Sequence, residues 1–170
     1  MICLPRKSPN RLAVCEALLR RGILSVEEES RVRDQLWRMS RGLDGELRAD
    51  RFWDELQLPG QTFLFHNLET VNRVGFSHQM DTVFVCPRFV LVLELKHIAG
   101  EITYNQAHHQ LLRTYNGEVQ ALGDPFNQVT RHAEWLEHFL WEVGVRGLPV
   151  VSAVVVTTPS SLLKDMPERF

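Results

Sequence analysis

Residues 89–96, FVLVLELK, set five apolar residues in a row and then place Glu94 and Lys96 on either side of Leu95. An uninterrupted apolar run leaves neither face for water, so it predicts a central β-strand covered on both sides. Side chains two apart on a strand share a face, and Glu94 and Lys96 therefore project together. Burying an unpaired charge in that setting is costly unless the group is neutralised. The pair needs a partner or a task.

A partner lies upstream. Residues 80–86, MDTVFVC, read as a second strand, joined to the first across Cys86-Pro87-Arg88-Phe89. A hairpin centred on Pro87-Arg88 pairs residues whose numbers sum to 175, which sets Asp81 opposite Glu94. Cβ atoms at such positions lie roughly 4.5–5.5 Å apart. Carboxylates that close repel, and one takes a proton unless a cation sits between them. Lys96 projects from the same face. Two acids and an amine at a strand end suit metal-assisted phosphodiester cleavage: oxygen ligands for a hard divalent ion, and a cation beside the attacking water or scissile phosphate. Pro87 does not fit a primed two-residue turn, so a longer connection is expected, and a bulge would shift the register by one. The plainer reading is a solvated Glu-x-Lys ion pair on an edge strand. The apolar context of both strands weighs against it.

At 170 residues, with 44% hydrophobic and 24% charged residues, the chain suits one soluble globular domain. A formal charge of −2 excludes a strongly basic protein, so any attraction to nucleic acid must come from a local patch. Cys3, Cys15 and Cys86 form neither a disulfide framework nor a zinc pattern and suggest a reducing compartment. No apolar run approaches the roughly 18 residues of a membrane span, and no secretory leader is evident. A cytoplasmic domain is expected.

Along the chain, residues 1–10 read as an extended lead-in. A helix is expected over 11–21, ending at Gly22. A capping box at Ser25-Val26-Glu27-Glu28 starts a second helix reaching about Arg41. Asp44-Gly45-Glu46 opens a third, with Leu47, Phe52, Trp53 and Leu56 on its buried side and Leu58-Pro59-Gly60 as its stop. Residues 61–66 read as a strand and 67–77 as a loop. Asn116-Gly117 between β-prone runs signals a hairpin. Asp124 caps, and Pro125 opens, a helix to about Val143 with Val129, Ala133, Leu136, Phe139 and Leu140 inward. Residues 150–156, VVSAVVV, read as a buried strand.

This order resembles the PD-(D/E)xK nuclease superfamily and, more narrowly, the nuclease-related domain (NERD) family of bacterial proteins. The likeness rests on Gly45-Glu46, Gln79-Met80-Asp81, Leu93-Glu94-Leu95-Lys96 with Ile98-Ala99-Gly100-Glu101-Ile102, and Asp124-Pro125-Phe126-Asn127-Gln128. It implies an α/β fold: a restriction-endonuclease-like αβββαβ core on a mixed sheet, with an inserted β-hairpin and two leading helices. The implied division is a helical extension over 1–43, the nuclease-related domain over 44–158 and a tail over 159–170. By the same resemblance Asp81, Glu94 and the Leu95 carbonyl hold Mg²⁺ or Mn²⁺, and Lys96 positions the water and stabilises charge on the phosphate. Glu46 matches an acid contributed by the first core helix. Its alternative is a first-turn Glu favouring the helix dipole. Gln128 matches a polar residue of the second core helix. His132 shares its face and departs from the Tyr of several relatives, and a His near a helix surface is more often solvated.

His108 and His109 read as solvated, and His66 and His97 as strand-end residues. No ligand spacing suggests zinc. No G-x-S-x-G elbow accompanies Ser160-Ser161, and Cys86 lacks a placed base, which weighs against serine and cysteine hydrolases. Three readings remain: a metal-dependent nuclease acting on nucleic acid, with DNA expected; a catalytically silent adaptor for nucleic acid or protein that keeps the fold; or a structural domain whose buried acids merely pair with Lys96. No membrane partner is expected. A homodimer and a longer native chain are left open.

Overall fold

The structure, a computed structural model, describes residues 1–58, 60–73 and 75–167. Its elements are β1 (Ile2–Leu4), α1 (Asn10–Arg21), α2 (Val26–Glu55), β2 (Phe63–Val71), β3 (Ser77–Val85), β4 (Val90–Lys96), β5 (Gly100–Asn105), β6 (Gln110–Tyr115), β7 (Glu118–Ala121), α3 (Pro125–Glu142), β8 (Val150–Val156) and β9 (Ser161–Lys164). The expected αβββαβ core is present as α2-β2-β3-β4-α3-β8. A main mixed sheet runs β1-β2-β3-β4-β8, and a second runs β7-β6-β5-β9.

The β3–β4 hairpin has the expected register. Thr82 faces Leu93, Val83 faces Val92, Phe84 faces Leu91 and Val85 faces Val90, each pair summing to 175. Cys86–Phe89 makes a four-residue connection closed by the Cys86 N–H on the Phe89 carbonyl, 3.1 Å. β4 also pairs in parallel with β8 along its whole length, Val90 with Val150 through Lys96 with Val156. On one face Val83, Val90 and Val92 pack with Met80 against Val129, Ala133 and Leu136 of α3. Phe84, next to Val83 and so pointing to the other face, stacks on Trp53 of α2 at 5.4 Å.

Several expectations are corrected. The second and third helices are one: α2 is unbroken from the Ser25 capping box to Glu55, through Gly42 and Gly45. Gly45 is no breaker. A Cβ there would meet the His97 Cβ and stand 2.7 Å from the Thr157 Oγ1, so its bare backbone lets α2 approach the end of β4. The buried face of α2 carries Gly45 and Ala49, whereas Leu47, Phe52 and Leu56 are exposed and Trp53 is half-buried. Helix α2 ends at Glu55, with Leu56 as its C-cap; Pro59, expected to stop it, lies outside the described residues, as do 168–170 of the tail.

The lead-in contributes β1, which pairs in parallel with β2. β2 runs on to Val71 where a loop was expected, because Leu68, Glu69, Thr70 and Val71 find partners on β3. The Asn116-Gly117 turn forms as expected, with φ of 53° and 82°, but its hairpin belongs to a larger insertion in which β5 adds a third strand and β9 pairs with β5. β8 is half-buried, with Val151 45% exposed, because it closes an edge of the main sheet. Phe139 is likewise 43% exposed on α3.

Candidate active site

The facing strands β3 and β4 part beyond Thr82 and Leu93, where their ladder stops among the described residues. Asp81 and Glu94 come next, one on each side of the fork. Instead of ladder pairing, the Leu95 N–H donates to Asp81 Oδ2 at 2.8 Å, so the carboxylate lies across the backbone of β4. On β2 the opposite position is Asn67, whose φ is 50°. Phe65, Leu68, Met80 and Val83 all join one core cluster, although strict alternation would put Phe65 and Leu68, or Met80 and Val83, on opposite faces. Alternation therefore breaks at Asn67 and Asp81. That break is what lets Asp81 address α2 on one side and β4 on the other.

Lys96 Nζ sits 2.6 Å from Glu94 Oε1, pairing a carboxylate side chain only 4% exposed with an amine 32% exposed. Glu94 Oε2 is buried and has no hydrogen-bond partner among the described residues. Burial, and then the nearby Asp81, push the Glu94 carboxyl from 4.5 up to about 7, against the opposing pull of Lys96 and a smaller one from Gln128 of α3. Burial also raises Asp81, opposed by the Leu95 N–H, Lys96 and Arg6. The predicted trio of Asp81, Glu94 and Lys96 thus meets at the fork, with Gln128 beside it.

Glu46 is brought to the same region, though from the interior of α2 rather than its first turn, which removes the helix-dipole alternative. Burial raises its carboxyl, and Asp81 is close enough to raise it further, against Arg6. Asp50 lies one turn on, at i+4, facing the same way. Between them stands Arg6, from the segment after β1, its side chain 2% exposed. Its Nε and Nη2 grip both Asp50 oxygens at 2.7 and 3.0 Å, Nη1 reaches Glu46 Oε2 at 2.5 Å and also Asn67 Oδ1, and Nη2 reaches Thr82 Oγ1 at 3.0 Å. Burial opposes the Arg6 charge, but Asp50, Glu46 and Asp81 together raise its pKa. His66, buried beside them, is depressed by burial and by Arg6; it lies within β2, not at a strand end.

Sequence reasoning missed Arg6, Asp50, Asn67, His66 and Thr82. Only Asp50 carried a local signal, its i+4 spacing from Glu46. His97 turns from the fork toward α2, with its Nδ1 3.1 Å from Thr157 Oγ1. His132 is not solvated: it is 7% exposed, with its Nδ1 3.2 Å from that of His78.

The family model of the nuclease-related domain, NERD, matches residues 41–157. The chain belongs to this family. Comparison with curated proteins and with solved structures gave no match. NERD domains are nuclease-related and generally metal-dependent, and the donors here suit a hard cation: two converging carboxylates, one of them with a buried, unpartnered oxygen. No cluster of three His, Cys, Asp or Glu side chains forms a ready ligand set among the described residues. No helix among the described residues is long and apolar enough to cross a membrane.

Proposed function

We propose that the chain hydrolyses phosphodiester bonds of DNA, with Asp81, Glu94 and the Leu95 carbonyl holding Mg²⁺ or Mn²⁺. The observation that carries this reading is the forked pair Asp81–Glu94 with Lys96 on Glu94 and the Glu94 Oε2 unpartnered. A bound divalent ion supplies Lewis acidity and neutralises charge at the phosphate. Glu94 would have to be ionised to hold a cation through Oε2, while its Oε1 keeps Lys96 at the fork. From there the ammonium would orient the attacking water or stabilise the negative charge that develops on the phosphate oxygens. Asp81, pinned by the Leu95 N–H, keeps its carboxylate aimed into the fork. Gln128 borders Glu94, and Glu46 adds negative charge behind Asp81.

Purified protein with Mn²⁺ is expected to nick plasmid or degrade linear DNA. Lys96→Ala and Asp81→Asn should each lower the rate by on the order of a hundredfold or more while leaving the fold intact by circular dichroism. Wild-type rates in both variants would refute the assignment. The adaptor reading draws on a separate observation, that Lys96 and Arg6 are each already held by carboxylates. It predicts DNA or protein binding with no uptake of Mn²⁺, which titration calorimetry decides.

A further inference from the structure

Arg6 has five N–H donors, and each has an acceptor: Nε–H on Asp50, the Nη1 pair on Glu46 and Asn67, and the Nη2 pair on Asp50 and Thr82. With its side chain 2% exposed, it has neither a free donor nor the access to touch a phosphate. It is therefore not a substrate-binding arginine. It is a fixed cation, delivered by β1 and set among three acids, Glu46, Asp50 and Asp81, each of which raises its pKa. The guanidinium occupies the Glu46 oxygen that faces the cluster and both oxygens of Asp50, so a metal ion ligated by these acids would have to displace it. Asp81 and Glu94 point into the fork, where Glu94 keeps an unpartnered oxygen.

We propose that Arg6 is a built-in counter-cation that withholds Glu46 and Asp50 from metal ligation, so that the centre takes a single divalent ion on Asp81 and Glu94. This rests on the metal-site reading given above. Arg6 is a positioning residue: it fixes Glu46 and Asp50 without touching substrate. Lysine cannot replace it, because an ammonium has three donors and no planar fork to span Asp50 and Glu46 together.

The test is Mn²⁺ titration of the full chain by calorimetry and electron paramagnetic resonance. The wild type should bind one Mn²⁺, and Arg6→Met, of similar bulk without charge, should bind two. Two ions in the wild type, or one in a folded Arg6→Met protein, would overturn the proposal. Should Arg6→Met fail to fold, Glu46→Gln decides. Binding of one ion within about fivefold of the wild-type affinity supports the proposal, since only a screened charge is lost. A loss of roughly a hundredfold, as expected of Asp81→Asn, would make Glu46 a ligand and overturn it. Asp81→Asn also separates the two readings: if it binds Mn²⁺ like the wild type, the fork is not the metal site and both fall, whereas its loss beside two ions in the wild type sinks the role of Arg6 alone.

Discussion

Glu94 is buried against a second acid, and that burial and the Asp81 charge push its carboxyl from 4.5 up to about 7. Because the folded-state value lies above the unfolded one, the folded protein holds an extra proton between those limits. Glu94 should therefore withdraw stability from the metal-free protein as pH rises through about 4.5 to 7, by up to roughly 3 kcal/mol, while His66, His78, His97 and His132, held below 6.5 by burial, act in the opposite sense over part of that window. Glu94→Gln removes only the first contribution, so the stability of the variant relative to wild type, from urea denaturation of metal-free protein at pH 5, 6, 7 and 8, should rise with pH; a difference independent of pH would contradict this. The same variant should abolish Mn²⁺ uptake. Divalent affinity should follow the opposite course, rising with pH toward 8 as the competing proton leaves. The same residue shows why this part of the site was legible in the sequence. Glu94 stands alone in an apolar run, and a short hairpin fixes what it faces. Arg6 offered no such signal, since a basic residue in a Pro-containing lead-in looks the same whether it ends in water or in a buried acid cluster.

Helix α2 separates two uses of glycine that look alike in sequence. The break expected between Arg41 and Asp44 does not form, and Gly42 and Gly45 both lie inside α2. At Gly42 an added Cβ would meet nothing within 4 Å among the described residues, so Gly42→Ala should stabilise the protein by about 0.5–1 kcal/mol through helix propensity and chain entropy. At Gly45 the same change drives a methyl group into His97 and the Thr157 hydroxyl, and should cost about 1–3 kcal/mol in spite of the propensity gain. Thermal melts of the two variants, expected to move in opposite directions, check both. Local propensity could not tell these glycines apart, because the difference between them is a neighbour more than fifty residues away. The buried side of α2 was misread for a related reason. Leu47, Phe52 and Leu56 outrank Gly45 and Ala49 in hydrophobicity, yet the sheet takes the face bearing Glu46 and Asp50, whose charge Arg6 offsets.

Across the whole molecule, the elements that sequence placed well are those whose partners are near in the chain: the β3–β4 and β6–β7 hairpins, the capped α1 and α3, and the capping box of α2. Those it missed or misjudged depend on distant partners. β1 and the far end of β2 exist as strands through their neighbours, β9 through β5, and β8 is exposed because it ends a sheet. The order of strands in the main sheet was invisible for the same reason. That division carries a temporal consequence. The acids of β3 and β4 meet across a short loop that closes quickly, whereas Arg6 must return across some sixty residues of intervening chain, a slower search. During refolding, pulse-labelled amides of the hairpin should gain protection from exchange before those of β1 and its partner positions Leu64 and Phe65; simultaneous protection would contradict this. The segment carrying β1 and Arg6 then docks after the hairpin has closed, and until it does the carboxylates of α2 wait without their counterweight.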